Sequence, residues 1–199
     1  MIRLAVTQRV DILPERGERR DALDQRWSAL LDHLGFLPLL MPNRLDLART
    51  LWDRLAPDGL LLTGGNDLEA CGGNTPERDA TETALLERAL GQKRPVLGVC
   101  RGMQVIQHHF GVPLARVEGH VTPRHPVACN GETWTVNSYH QWGATETADP
   151  LVVDAVAEDG VIEALHHREL PVFGLMWHPE RDTPFSERDL SFIRKVFQP

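Results

Sequence analysis

Cys100 stands between two glycines in the stretch GVCRG (98–102), where an apolar run ends and a helical pattern begins. This is the cysteine form of the G-x-S-x-G turn, which exposes a nucleophile above the edge of a sheet. The positive end of the following helix favours the thiolate, and the backbone amide of Arg101 is placed to donate to a developing oxyanion. Because the pattern is short, a buried cysteine on an ordinary strand-to-helix turn is an equal alternative until further residues are considered.

A histidine and a glutamate follow a second apolar run, in the segment WHPE (177–180). Parallel strands place their carboxyl ends at one edge of an α/β sheet, so we expect His178 to lie beside Cys100. The imidazole can take the thiol proton and later give a proton to the leaving group. In an extended segment Glu180 points to the same side as His178, where its carboxylate can orient the imidazole. The two segments together predict a Cys-His-Glu triad.

The stretch LTGGND (62–67) supplies a third feature of such a site. A strand that ends in two glycines offers backbone amides at the sheet edge, and the amide of Gly65 is predicted to be the second oxyanion donor. On its own the stretch would be an ordinary glycine turn. Its position one strand-helix unit before Cys100 favours the functional interpretation.

The elements that must position these residues follow an alternation of apolar runs and helical periodicity. Buried strands are predicted over 3–8, 36–41, 58–65, 94–99 and 171–177. Helices are predicted over 23–34, 45–55, 77–90, 101–110 and 186–197. Two antiparallel hairpins are predicted further on, 125–129 with 133–136 and 151–158 with 161–167. The sequence therefore predicts an α/β fold with a doubly wound, mostly parallel central sheet flanked by helices, antiparallel β additions in the C-terminal half, and a single domain over 1–199.

The composition of the chain limits the kinds of partner that the protein is expected to bind. The 199 residues carry a net charge of −7, which argues against nucleic acid or an anionic membrane surface as a partner. No run approaches the ~20 apolar residues of a membrane span, and the N-terminus has no signal-peptide pattern. Three cysteines without a CxxC pair predict no disulfide framework and a cytoplasmic setting, with Cys71 and Cys129 as spectators.

The histidines invite a metal interpretation, since His120, His125 and His140 are close together in the sequence. Neither an HExxH nor a CxxC spacing accompanies them. The sequence therefore predicts no metal site and no cofactor, and the expected partner is a small-molecule substrate.

Four motifs stand in order along the chain: GGND (64–67), GVCRGMQ (98–104), VNSYH (136–140) and WHPE (177–180). Together they resemble the class I glutamine amidotransferase superfamily, and within it the free-standing γ-glutamyl hydrolases. The resemblance implies a flavodoxin-like fold and hydrolysis of a γ-glutamyl amide by Cys100, His178 and Glu180, without a cofactor. It also implies the residues that contact the γ-glutamyl substrate, which are Asn66, Gln104, Ser138, Tyr139 and His140.

Shorter runs are similar to a narrower branch of that family, whose members hydrolyse γ-glutamyl-CDP-amidate to glutamate and cytidine diphosphoramidate in capsular phosphoramidate biosynthesis. These runs are TQR (7–9), GGNDL (64–68) and MWHPER (176–181). A leaving group with a pyrophosphate needs cations beside the thiolate, and Arg9 and Arg181 are the predicted ones. The weaker candidates are Arg78, His120 and His125.

Three alternatives stay open from the sequence. The substrate could be γ-glutamyl-γ-aminobutyrate or another γ-glutamyl amine. The chain could be a glutaminase subunit that delivers ammonia to a synthase partner, which we do not favour. A non-catalytic binding protein of the same fold is disfavoured because Cys100, His178 and Glu180 are all present.

Overall fold

Thirteen strands make up the β structure of the computed structural model, which describes residues 1–198. They are β1 (Arg3–Val6), β2 (Arg9–Leu13), β3 (Glu18–Ala22), β4 (Leu37–Leu40), β5 (Gly59–Leu62), β6 (Val96–Val99), β7 (Ala115–Arg116), β8 (Val121–Cys129), β9 (Glu132–Tyr139), β10 (Trp142–Gly143), β11 (Leu151–Ala157), β12 (Ile162–His167) and β13 (Val172–Leu175). The helices of the same residues are α1 (Gln25–Leu34), α2 (Leu45–Leu55), α3 (Pro76–Gly91), α4 (Arg101–His109) and α5 (Glu187–Phe197).

Nine of these strands form one mixed sheet, in the order β4-β1-β5-β6-β13-β12-β11-β8-β9. The five strands from β4 to β13 run parallel to their neighbours. From β13 to β9 each strand is antiparallel to the next. The predicted fold class, a doubly wound sheet with antiparallel additions in the C-terminal half, is confirmed.

The central strands β5 and β6 are wholly buried because helices cover both faces of the sheet. Leu61 enters the core that α1 and α5 form on one face. Its neighbours Leu60 and Leu62 enter the core on the opposite face, which α2, α3 and α4 cover. Burial on both faces explains why these strands are continuous apolar runs in the sequence. It also leaves the carboxyl ends of the strands as the open edge of the sheet, where a site can form.

The strand predicted over 36–41 forms at the edge of the sheet, as β4. Pro38 lies in it, in register with Leu4 of β1. Proline cannot donate a ladder hydrogen bond, and an edge strand is where a sheet tolerates it.

The hairpin formed by β2 and β3 was not predicted from the sequence. The strand predicted over 3–8 ends at Val6, and the chain then turns into this two-stranded sheet. β3 has the sequence ERRDA and is mostly exposed, so it lacks the apolar alternation that marks a strand. The available signal was the turn PERG, in which Gly17 adopts a φ of 62°.

Both hairpins predicted for the C-terminal half are present, β8 with β9 and β11 with β12. Asn130 and Gly131 form the first turn with φ values of 50° and 84°. Positive φ at both central positions is what a tight two-residue hairpin requires. No helix among residues 1–198 is long and apolar enough to cross a membrane.

Candidate active site

Cys100 occupies the single residue between β6 and α4. Its backbone has φ 53° and ψ −108°, a conformation that costs a non-glycine residue free energy and that proteins retain mainly at functional sites. A Cβ on Gly98 would stand 2.5 Å from the backbone of Gly102, so this turn closes only around glycine. The Cys100 amide donates to the Leu175 carbonyl at 2.7 Å, and this bond attaches the turn at Cys100, which we call the cysteine elbow, to β13.

His178 and Glu180 follow β13 and are almost wholly buried. Nδ1 of His178 and Oε1 of Glu180 are 2.6 Å apart. The segment is not extended, as the sequence argument assumed, because Pro179–Arg181 form a 3₁₀ turn. The turn itself brings the carboxylate back to the imidazole.

The imidazole of His178 lies beside Cys100, with Gly64 against both. A Cβ built on Gly64 would stand 2.8 Å from Cε1 of His178 and 3.5 Å from Cβ of Cys100. Burial lowers the pKa of His178, but the charge of Cys100 and the hydrogen bonds with Cys100 and Glu180 outweigh it and raise the pKa to about 9. A buried imidazole held protonated beside the sulfur is the partner that a cysteine nucleophile needs.

Asn137 fixes the backbone of His178, a role that the sequence analysis missed. The His178 amide donates to Oδ1 of Asn137 at 2.8 Å, and Nδ2 of Asn137 donates to the His178 carbonyl at 2.9 Å. Asn137 is buried in β9. Its position within the VNSYH motif was the available signal.

Arg78 holds the loop that carries the predicted oxyanion donor Gly65. Its buried guanidinium donates to the carbonyls of Thr63 at 2.8 Å and Gly64 at 3.0 Å, and to that of Gly65. A trans peptide points its N–H opposite to its C=O. Because the Gly64 carbonyl faces Arg78, the amide of Gly65 points away from the guanidinium. Arg78 is therefore part of the support of the loop, and its predicted role as a weaker leaving-group contact is wrong.

Glu82 links this loop to the cysteine elbow. It is fully buried and accepts from Nε of Arg78 at 2.9 Å and from the guanidinium of Arg101, which also binds Asp79. Burial raises the pKa of Glu82, but the charges of Arg101 and Arg78 outweigh it and hold the pKa below its ordinary value. One buried carboxylate thus connects the two segments that carry the predicted oxyanion donors.

A cavity of about 440 Å³ opens beside Cys100. The predicted γ-glutamyl-binding residues that line it are Asn66, Gln104, Tyr139 and His140. Asp67 and Gln141 line it as well and were not predicted. The carboxylate of Asp67 and the amides of Gln104 and Gln141 are groups that can bind an amino acid's ammonium and carboxylate. Asp67 stands within the GGND motif, which was the available signal.

A smaller cavity of about 60 Å³ lies between His178 and the loop Thr63–Gly65, which we call the glycine loop. Arg9 and Arg181 both line it. The Arg181 guanidinium lies 4.4 Å from the centre of the Tyr139 ring, so it also faces the larger cavity. The two arginines predicted for an anionic leaving group therefore lie beside His178 in this cavity.

The sequence profile described as glutamine amidotransferase class-I matches residues 22–196. The chain belongs to the class I glutamine amidotransferase family. A solved structure from Thermoplasma acidophilum, described as part of a candidate GMP synthase, has a TM-score of 0.74 and 20% identity, covering 99% of this chain and 92% of that chain, and shares the fold.

Individual relatives include hydrolases and a synthase component. The γ-glutamyl-CDP-amidate hydrolase of Campylobacter jejuni is 32% identical over 184 residues, which are 90% of this chain and 90% of that protein. The γ-glutamyl-γ-aminobutyrate hydrolase of Escherichia coli O157:H7 is 28% identical, over 89% of this chain and 85% of that protein. Anthranilate synthase component 2 of Saccharolobus solfataricus is 29% identical, over 76% of this chain and 81% of that protein. The predicted resemblance to the class I amidotransferases and their γ-glutamyl hydrolases is confirmed.

Four side chains that the family resemblance assigned to substrate are engaged within the protein. The amide of Gln104 donates to the Trp142 carbonyl at 2.9 Å, and the ring of His140 contacts the same carbonyl and Glu163. The hydroxyl of Ser138 is fully buried and donates to the His120 carbonyl at 2.7 Å. The side-chain amide of Asn66 pairs with both backbone groups of Val10, at 2.8 and 2.9 Å. Asn66 therefore anchors the β2-β3 hairpin to the glycine loop, and it lines the cavity of this class I amidotransferase site from there.

His120 and His125 do not point at the leaving-group side, as the weaker prediction had them. Nδ1 of His120 lies 2.9 Å from Oε1 of Glu163, and Nε2 of His125 lies 3.7 Å from Oε2. Glu163 belongs to β12 and is fully buried. Tertiary structure has gathered these histidines around one carboxylate.

Proposed function

We propose that this protein hydrolyses a γ-glutamyl amide through a thioester on Cys100. The thiolate adds to the γ-carbonyl carbon, and the amides of Gly65 and Arg101 stabilise the oxyanion. His178 gives its proton to the departing nitrogen, and the γ-glutamyl group stays on sulfur. A water molecule then loses a proton to His178 and attacks the thioester, which releases glutamate. The observation that carries the proposal is the left-handed elbow of Cys100 beside the buried His178–Glu180 pair.

The proposed substrate is γ-glutamyl-CDP-amidate, with cytidine diphosphoramidate as the leaving group. Support comes from Arg9 and Arg181 in the cavity on the His178 side, because guanidinium groups bind phosphate bidentately. The Campylobacter jejuni relative carries the name of this activity and aligns over 90% of both chains. In this proposal the enzyme serves capsular phosphoramidate biosynthesis in the cytoplasm and needs no synthase partner.

The direct test is glutamate release by the purified protein from three substrates side by side. These are γ-glutamyl-CDP-amidate, γ-glutamyl-γ-aminobutyrate and glutamine, with Cys100→Ala as the blank. We expect a kcat/KM for the CDP-amidate at least a hundredfold above the others, which is about 3 kcal/mol of transition-state preference. Fastest turnover of γ-glutamyl-γ-aminobutyrate would identify a γ-glutamyl amine hydrolase, and fastest turnover of glutamine a glutaminase. Turnover by Cys100→Ala would rule out the thioester.

The leaving-group assignment is tested by Arg9→Ala and Arg181→Ala. Each is expected to lower kcat/KM for the CDP-amidate about tenfold or more, about 1.4 kcal/mol, and to change turnover of γ-glutamyl-γ-aminobutyrate little. Arg16→Ala is the matched control, because Arg16 is exposed at the far end of the hairpin that begins at Arg9. Equal losses on both substrates would mean that these arginines support the site and do not recognise a phosphate.

A further inference from the structure

Three imidazoles surround the buried carboxylate of Glu163. Nδ1 of His120 lies 2.9 Å and Nε2 of His140 lies 3.3 Å from Oε1, and Nε2 of His125 lies 3.7 Å from Oε2. The ligand atoms of His120, His125 and Glu163 all lie within 4.8 Å of one another, and among residues 1–198 no other three such side chains form a group this close. Neither the proposed chemistry at Cys100 nor the fold requires this convergence.

Hydrogen bonds at the outer ring nitrogens of His120 and His140 determine whether their inner nitrogens, which face Glu163, carry a proton. Nε2 of His120 lies 3.0 Å from a carboxylate oxygen of Asp159, and Nδ1 of His140 lies 3.0 Å from the Trp142 carbonyl. A carbonyl can only accept, and an ionised carboxylate can only accept, so these outer nitrogens carry the protons. In a neutral ring the inner nitrogen is then a lone pair that faces a carboxylate. Two lone pairs facing an anion require a cation between them or extra protons.

Buried atoms without a hydrogen-bond partner mark the same spot. They are Nδ1 of His120, Nε2 of His125 and Oε2 of Glu163. His120 and Glu163 have side chains that are 4% and 0% exposed. Although Nδ1 of His120 and Oε1 are close, their alignment is not that of a hydrogen bond, so the atoms converge without pairing.

We propose that this cluster is a binding site for a divalent transition metal ion of the zinc class, held by Nδ1 of His120, Nε2 of His125 and the carboxylate of Glu163. Bonds of about 2.0–2.1 Å in a tetrahedron keep neighbouring ligand atoms roughly 3.3 Å apart. Oε1 of Glu163 lies 2.9 Å from Nδ1 of His120 and 3.3 Å from Nε2 of His140, and Oε2 lies 3.7 Å from Nε2 of His125, so these distances lie around that value. Nε2 of His140 is the nearest fourth ligand.

The outer nitrogens of His120 and His140 have the hydrogen-bond acceptors that metal-binding histidines usually have. A metal-bound imidazole commonly donates its other N–H to a carboxylate or a backbone carbonyl, which fixes the ring and its tautomer. Asp159 holds this position for His120, and the Trp142 carbonyl holds it for His140. The metal would tie β12 to the segment that carries His120 and His125, behind the wall of the cavity that His140 lines. Its role is therefore structural support of the substrate cavity.

The test uses untagged Cys100→Ala protein, so that the active-site thiolate cannot bind metal. Cobalt(II) is titrated and the visible d-d bands of tetrahedral cobalt are recorded, and zinc content is measured by elemental analysis after dialysis. We expect one metal per chain and a higher melting temperature with zinc. The cluster's assignment is overturned if no metal binds, as would happen if the cluster is held by protonated imidazoles alone.

Two variants locate the bound metal. Asp159→Asn changes a half-exposed residue and is expected to weaken cobalt affinity about 10- to 100-fold, the usual effect of losing a supporting carboxylate. His125→Ala removes a ligand that has no hydrogen bond to lose and should abolish the tetrahedral bands. His166→Ala is the control, since this histidine lies on β12 but pairs with Asp154. Cobalt binding that survives both cluster variants unchanged places the metal elsewhere and overturns the proposal.

Discussion

His178 packs its imidazole against Gly64, and the missing side chain of this glycine leaves the space beside Cys100 open. A Cβ there would stand 2.8 Å from Cε1 of His178. Gly64→Ala is therefore expected to push the ring away from the thiol. A displacement near 1 Å can cost about 100-fold in rate, and we expect a loss of that order in kcat/KM for glutamate release.

Gly91→Ala is the matched control for this substitution. Gly91 ends α3, and a Cβ there meets nothing within 4 Å. It should leave kcat/KM unchanged. Full activity of Gly64→Ala would show that the position of the imidazole is not restricted by the glycine loop.

Asn137 positions His178 through both backbone groups of that residue. In Asn137→Ala these groups lose their partners in a buried place, and the free energy of unfolding should fall by about 1–3 kcal/mol. Because Asn137 is absent from the lining of the cavity beside Cys100, kcat should fall while KM changes little. Urea denaturation and initial-rate kinetics measure the two effects.

The control for this prediction is Asn74→Ala, since Asn74 is exposed and offers only its carbonyl to Arg19. If Asn137→Ala raised KM and left kcat intact, the asparagine would be a substrate contact and not a support of His178.

Arg78 holds the glycine loop by binding its carbonyls, so a lysine in its place is expected to leave this loop less firmly held. Arg78→Lys retains the positive charge near Glu82 but has one nitrogen where the guanidinium uses three. Loss of one oxyanion donor costs about 10²–10³ in kcat, and we expect a decrease up to that size. Steady-state kinetics of the purified variant provides the measurement.

Arg88→Lys on the same helix is the matched control, because its guanidinium pairs with Asp53 at the surface. Surface pairs contribute little, and this variant should keep both stability and kcat. Unchanged kcat in Arg78→Lys would mean that the loop keeps its conformation without the guanidinium.

The pKa of His178 gives a prediction for pH dependence. Its value of about 9 lies above the ordinary 6.5, so the folded protein holds this proton more tightly than the unfolded chain. The stabilisation is therefore present in full below pH 6.5 and is lost as the pH rises through about 9. NMR titration of the imidazole should show a midpoint near 9 in the wild type.

Cys100→Ala removes the charge that contributes to the raised pKa, so the midpoint of His178 should fall. The free energy of unfolding of this variant should then decline less between pH 6.5 and pH 9 than that of the wild type. Equal midpoints in the two proteins would show that Cys100 and His178 are not coupled.

Much of the fold could be predicted because its signals are local. The apolar runs of β5 and β6 and the turn signal at Asn130-Gly131 act within a few residues. The β2-β3 hairpin could not be predicted, since it is an exposed charged ribbon that Asn66 attaches to the glycine loop from far along the chain. Its attachment places Arg9 over Gly65, which no local pattern indicates.

The sequence by itself determined the neighbours of Cys100. The glycine elbow and the His178-Glu180 turn are short motifs at strand ends, and parallel strands bring such ends to one edge whatever the remaining sequence is. Only the tertiary structure decided which way the other charged side chains face. Arg78 points into the protein, and three histidines meet at Glu163, because these contacts join segments that are distant in sequence. A buried charged group needs partners, and here only the folded chain brings them together.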